Sequence, residues 1–194
     1  MSEVTHCTTA KLKAISKDPR SAYRHAMYVI KGRWPEAEET ISTDPEWAYQ
    51  YAHDIKGRWP EAEETISKNS EWAYFYALSV IEGRWPEAEE TISKNPEWAY
   101  YYARNVIKGR WPEAEVTIIN CFAQKRKVCA DASGWACNYA ASVIKGRWLE
   151  AEELFCDVSL CSFDIVKEYV SQINWASPLN DFPIPKRVKR ALAC

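Results

Sequence analysis

The chain has 194 residues, 47% hydrophobic and 13% aromatic, with ten Trp and eleven Tyr, enough apolar surface to offset the entropy of chain ordering and to exclude a disordered polyelectrolyte. Its net charge of −2 is unevenly spread: residues 1–33 carry +5, residues 34–110 carry −7 and residues 111–194 balance. Apolar runs fall far short of the roughly 20 residues that cross a bilayer, and Met1–His6 holds no basic region ahead of an apolar run, so the expectation is a cytoplasmic chain without membrane contact.

In chain order, residues 1–16 read as an N-terminal cap. Its stretch Ala10–Ile15 aligns with the first helix of a repeat but carries Lys where the repeats carry Glu, and terminal units of an array are normally atypical. Residues 17–148 read as the array itself. Gly-Arg-Trp recurs at Gly32, Gly57, Gly83, Gly109 and Gly146, four times followed by Pro-Glu-Ala-Glu, with Trp spacings of 25, 26, 26 and 37. A fixed period of this size marks stacked supersecondary units.

Two short helices are written into the unit 85–110. Pro86 suits a first helical position, and Glu87, Glu89 and Glu90 match the helix dipole, which predicts a helix over Pro86–Ser93. Asn95 and Pro96 then cap and start a second helix, which Gly109 ends by taking the left-handed conformation. Asp44-Pro45, Asn69-Ser70 and Asp18-Pro19 repeat that punctuation. A helix of about eight residues is unstable alone in water, so each pair must bury Trp- and Tyr-bearing faces against the next. The unit ending at Gly57 is one residue short, which predicts an irregularity near Asp54.

Eleven extra residues between Trp111 and Trp148 place an insertion around 119–131, where something lengthens or protrudes. Residues 149–176 read as C-terminal capping helices closed by Phe155, Phe163, Ile165, Val166, Tyr169 and Ile173, and 177–194 as a basic tail with Lys186, Arg187, Lys189 and Arg190. All seven Cys lie outside the three regular repeats. Their spacing lacks paired metal knuckles, so small buried thiols are expected, with no metal and no cofactor.

Trp98, Gly109, Trp111 and Ala114 resemble the tetratricopeptide pattern of helix tryptophan, turn glycine, following aromatic and alanine, although Tyr102 stands where that pattern wants a small residue. The period is 26 where that class has about 34. The resemblance implies an all-α, helical-repeat solenoid of short helix pairs, tetratricopeptide-like but compressed. The Val-Ile-Lys-Gly-Arg-Trp-Pro-Glu-Ala-Glu wording over residues 17–153 is also similar to tandem helical repeats in uncharacterised proteins of tailed bacteriophages and other viruses. It implies a host-cytoplasmic location and no established activity.

The expected function is non-enzymatic binding of a protein partner. Tyr49, Tyr74, Tyr100 and Tyr101 would form an aromatic face, and Lys125, Arg126 and Lys127 of the insertion a second candidate surface. An alternative is an acidic mimic of nucleic acid, or an inhibitor of a host defence or nucleic-acid enzyme, drawn from Glu36/Glu38/Glu39 and their repeats. Dipole matching accounts for the same acids. Nucleic-acid binding through the basic segments is a weaker alternative, opposed by the acidic centre. His6, His25 and His53 stand beside no nucleophile at motif spacing, and no phosphate, dinucleotide or zincin motif occurs, so no enzyme is expected. The Arg that precedes each Trp is expected to pair with the Glu cluster of its own unit.

Overall fold

The computed structural model describes residues 11–123, 132–155, 169, 171 and 172. Every element among them is helical, in consecutive pairs, as the repeat predicts. The chain divides into two compact bodies between Ile92 and Ser93. The first holds helical residues 11–15, then α1 (Pro19–His25), α2 (Pro35–Ile41), α3 (Pro45–Tyr51), α4 (Pro60–Ile66), α5 (Ser70–Tyr76) and α6 (Pro86–Ser93), the last of which ends at the boundary. The second holds α7 (Pro96–Tyr102), α8 (Pro112–Ala123), α9 (Ala132–Tyr139) and α10 (Leu149–Phe155).

Caps fall where the sequence places them. Asp44, Asn69 and Asn95 each accept two backbone N–H bonds from the first turn of the following helix, and Asp18 accepts one from Ser21. Glu36, Glu61 and Glu87 lie in the first turns of α2, α4 and α6, where the dipole favours them.

The second helix of each pair does something the sequence does not announce. After seven or eight α-helical residues it opens into a single π-helical segment, at Ala26–Ile30, Ala52–Lys56, Ala77–Ile81, Ala103–Ile107 and Ala140–Ile144. Each begins at a fully buried alanine. In four of them that alanine's carbonyl also accepts the N–H of the glycine six residues on, as from Gly32 to Ala26 at 3.2 Å, while the intervening residue turns left-handed. This corrects the expected cap: Lys108 at φ 59° takes the left-handed position, and so do Lys31, Glu82 and Lys145, whereas Gly109 does not.

The short unit shows why the glycine is there at all. Lacking the left-handed residue, it closes directly at Gly57, whose φ of 79° and ψ of −155° belong to glycine alone. The missing residue is therefore absorbed three positions after Asp54, in the cap, and the π segment keeps its length.

Packing joins the second helices side by side, α1 on α3 and α3 on α5 in the first body, and α7 on α9 in the second. First helices wedge against the second helix before them, as α2 does on α1, α4 on α3 and α8 on α7. The core is repetitive: Ala22, Ala48, Ala73, Ala99 and Ala136 let the helices approach, and Trp59, Trp85, Trp111 and Trp148 are at most 2% exposed. Each such indole removes about 150–250 Å² from water, worth roughly 4–6 kcal/mol as an upper figure. The insertion begins as a lengthening, since α8 runs twelve residues where its counterparts run seven or eight.

Candidate functional site

Two sets of residues recur at fixed places, one interior and one exposed. The interior set is a clasp that closes each helix pair. Arg33 donates from Nε and Nη2 to the two oxygens of Glu38 at 2.9 and 3.1 Å. The Tyr51 hydroxyl donates to Glu38 at 3.0 Å and accepts the backbone N–H of Trp34 at 2.7 Å. Arg58, Glu63, Tyr76 and Trp59 repeat the arrangement, as do Arg110, Glu115, Tyr139 and Trp111, and Arg147, Glu152, Tyr169 and Trp148. Arg84 makes the same two-pronged pair with Glu89.

The expected pairing of each Arg with its own Glu cluster is thus observed, and the partner that sequence reasoning missed is the tyrosine 13 residues beyond the paired Glu, as Tyr51 from Glu38 and Tyr76 from Glu63. Its spacing of 17 from the Trp is constant in the first two clasps, a periodic signal that could have found it.

Electrostatics tighten the clasp. Burial opposes ionisation of Glu38, but Arg33, Lys56 and Tyr51 all bond to the carboxylate, and Lys56 reaches it at 2.8 Å, which holds its pKa at about 2. Burial and the adjacent carboxylate push the Tyr51 and Tyr76 phenols up to about 12, against the bond each accepts from a backbone N–H. These groups are locked in one charge state across the physiological range, which suits structure rather than proton transfer.

The predicted aromatic face is distributed differently from expectation. Tyr49, Tyr74 and Tyr100 are 8%, 5% and 3% exposed and lie between repeats. Tyr49 meets Ser79, Tyr100 meets Ser142, and Tyr23 donates to Asp54 in the same way. Burial follows from the adjacent indoles: Trp72 stacks on Tyr49 with centroids 5.6 Å apart, and Trp135 lies 5.6 Å from Tyr100. Tyr101 remains half-exposed. Lys125, Arg126 and Lys127 lie outside the described residues, as does the basic tail.

The exposed set emerges when the five second helices are aligned on their buried alanines. Three positions vary freely: Arg24, Gln50, Phe75, Tyr101 and Asn138 at the first; Met27, His53, Leu78, Arg104 and Ala141 at the second; Tyr28, Asp54, Ser79, Asn105 and Ser142 at the third. They fall at i, i+3 and i+4, one face of a helix, and none of the fifteen is buried. Exposure alone does not account for this variety. Exposed positions of the first helices are nearly invariant between repeats, with Glu at 36, 61, 87, 113 and 150.

In the first body this face carries a cleft of about 430 Å³ between the first two second helices, lined by Met27, Tyr28, Lys31, Gly32, Asp54 and Ile55. It opens where the short repeat departs from the others. The place of Ile81 in the next repeat is taken by Lys56, which turns instead to Glu38 and lies over the Trp59 ring at 4.5 Å. Asp54 in its wall accepts from Tyr23 at 2.5 Å and sits 2.7 Å from the His53 ring nitrogen.

Among the described residues no group of three His, Cys, Asp or Glu side chains is placed to hold a metal, and no helix is long and apolar enough to cross a membrane. The fold and its recurrent clasp define an all-α helical-repeat protein. Compared with known proteins, the chain matches no family model, no curated protein and no solved structure.

Proposed function

We propose that this chain is a non-enzymatic protein-interaction repeat, and that it recognises a protein partner through the variable face of its second helices. The supporting observation is the contrast between two exposed surfaces of one repeat, a first-helix surface that stays the same from copy to copy and a second-helix surface that changes. The helix dipole gives the first-turn Glu a reason to stay constant, and no such demand acts on the second-helix positions, which are free to meet a partner's surface. Gln50, His53, Phe75 and Leu78 supply mixed polar, aromatic and aliphatic chemistry of the kind found at interface centres.

The acidic-mimic reading has less support, because one carboxylate of each Glu cluster, such as Glu38 or Glu63, is bound to an Arg of its own repeat. Those acids steer a basic partner less than the raw charge of the centre implies. The likeness of the repeat wording to tailed-phage proteins directs the search for a partner to host-cell proteins.

Affinity purification from the native host, followed by quantitative mass spectrometry, tests the proposal. A protein retained by the wild-type chain is expected to be lost with Gln50→Ala, His53→Ala and Leu78→Glu combined, and kept with Glu36→Gln and Glu61→Gln combined. Equal recovery by both variants at unchanged melting temperature would overturn it.

A further inference from the structure

The cleft between the first two second helices carries two opposite charges that the fold does not pair. Lys31 and Asp54 both line it, one from each helix. Lys31 ends the first π segment in the left-handed conformation, at φ 58°, which fixes where its stem leaves the backbone. Asp54 is oriented by two neighbours: Tyr23 donates to Oδ2 at 2.5 Å, and His53 Nδ1 lies 2.7 Å from Oδ1. Among the described residues no Lys or Arg pairs with Asp54, and no Asp or Glu pairs with Lys31.

Packing does not require that acid. Ser79, Asn105 and Ser142 hold the same place in later repeats, and Ser79 and Ser142 meet the neighbouring tyrosine hydroxyls without a charge. A carboxylate that accepts two bonds keeps about two of its four acceptor sites open, and the Asp54 side chain is 21% exposed. The rest of the wall is largely apolar, with Met27 and Ile55 half-buried and the Tyr28 ring beside them. A volume of about 430 Å³ falls within the roughly 300–1,000 Å³ of small-molecule pockets, which combine an apolar lining with a few placed polar groups. A ligand with a lone cation is opposed by Lys31 and one with a lone anion by Asp54, whereas a small molecule bearing both charges on an apolar body satisfies the whole wall. We infer that this cleft binds a free α-amino acid with an apolar side chain, its ammonium on Asp54, its carboxylate on Lys31 and its side chain against Met27, Ile55 and Tyr28. The site shares Met27, Tyr28 and Asp54 with the variable face, but its occupancy requires no protein partner.

Isothermal titration of the full chain with L-leucine, L-methionine and L-phenylalanine tests this. Saturable binding of at least one of the three is expected, weakened about tenfold or more by Asp54→Asn and by Lys31→Met, as for loss of a bond to a charged group. Removing either charge from the ligand should weaken it as much, which 3-methylbutylamine and 4-methylpentanoate test for leucine; the same pair separates a free amino acid from a peptide terminus, which carries one charge only. Asn stands at this place in the fourth repeat and Lys31 is exposed, so both variants should keep the wild-type melting temperature. If Asp54→Asn melts early, Lys31→Met carries the test. Binding of none of the three amino acids would overturn the inference, and so would binding indifferent to Lys31→Met, or an amine or acid alone that binds as tightly as the amino acid. The titration contains no other protein, so its failure and a failure of partner capture are separately visible.

Discussion

At the residue scale the tyrosine of the clasp carries more than its ring. In the second clasp the Tyr76 oxygen accepts the N–H of a buried Trp59 and donates to Glu63 at 3.2 Å, so Tyr76→Phe leaves a buried backbone donor without its acceptor while changing packing little. The expected cost is about 1–3 kcal/mol in urea unfolding, with an unchanged m-value. A loss below a few tenths would show that water replaces the phenol.

The same groups set the pH limits of stability. Tyr51 and Tyr76 ionise at about 12 in the folded chain against 10.0 ordinarily, so the stability they contribute is complete below pH 10 and is lost as pH rises toward 12. Glu38 has the opposite sign: its pKa falls from 4.5 to about 2, so its contribution is complete above pH 4.5 and drains away as pH falls toward 2. Thermal melts across both windows should decline at each edge. Glu38→Gln should flatten the acid limb and reduce the Tyr51 share of the alkaline limb, since that carboxylate helps raise the phenol, while leaving the Tyr76 share in place.

At the element scale, helix starts were legible in the sequence and helix ends were not. Asp44, Asn69 and Asn95 write their caps in side-chain chemistry that acts within three residues, and the structure places a cap at each. The π segments leave no such mark, because five residues are too few to reveal a changed period and the deciding contact is a buried alanine against a neighbouring helix. Glycine was misread for a related reason. Its recurrence suggested the left-handed site, yet that site falls one residue earlier on Lys31, Glu82, Lys108 and Lys145. Only Gly57 needs its freedom, at φ 79°. Gly57→Ala is therefore expected to cost about 1–3 kcal/mol. Gly83→Ala, with open space where a Cβ would stand, should stay within about 0.5 kcal/mol. Equal losses in calorimetry would refute this division of roles.

The candidate site was legible only in part. Counting aromatic residues finds Tyr49, Tyr74 and Tyr100, but it cannot tell a ring displayed to a partner from one clamped between Trp72 and its own helix. Comparing the repeats with one another does distinguish them. The alanines, which never change, and the clasp tyrosines, replaced only by His25 in the first copy, prove buried, and the changeable positions beside them prove exposed or half-buried.

At the scale of the whole molecule, a chain built from nearest-neighbour contacts should respond to paired substitutions according to which repeats share a residue. Tyr51 and Tyr76 share Trp59: the Tyr51 ring lies 5.2 Å from the indole, and the Tyr76 hydroxyl accepts the backbone N–H of Trp59. Loosening either lets the indole shift and weakens what the other has left to lose. Tyr139 holds Trp111 and Glu115 in the second body and has no part in that contact. Urea unfolding of the full chain should thus show Tyr51→Phe and Tyr76→Phe coupled by about 0.5–1 kcal/mol, whereas Tyr51→Phe and Tyr139→Phe add to within about 0.5 kcal/mol. Coupling of the second pair as strong as that of the first would mean that stability is pooled over the molecule, and the reading of each repeat as held by its immediate neighbours would fail.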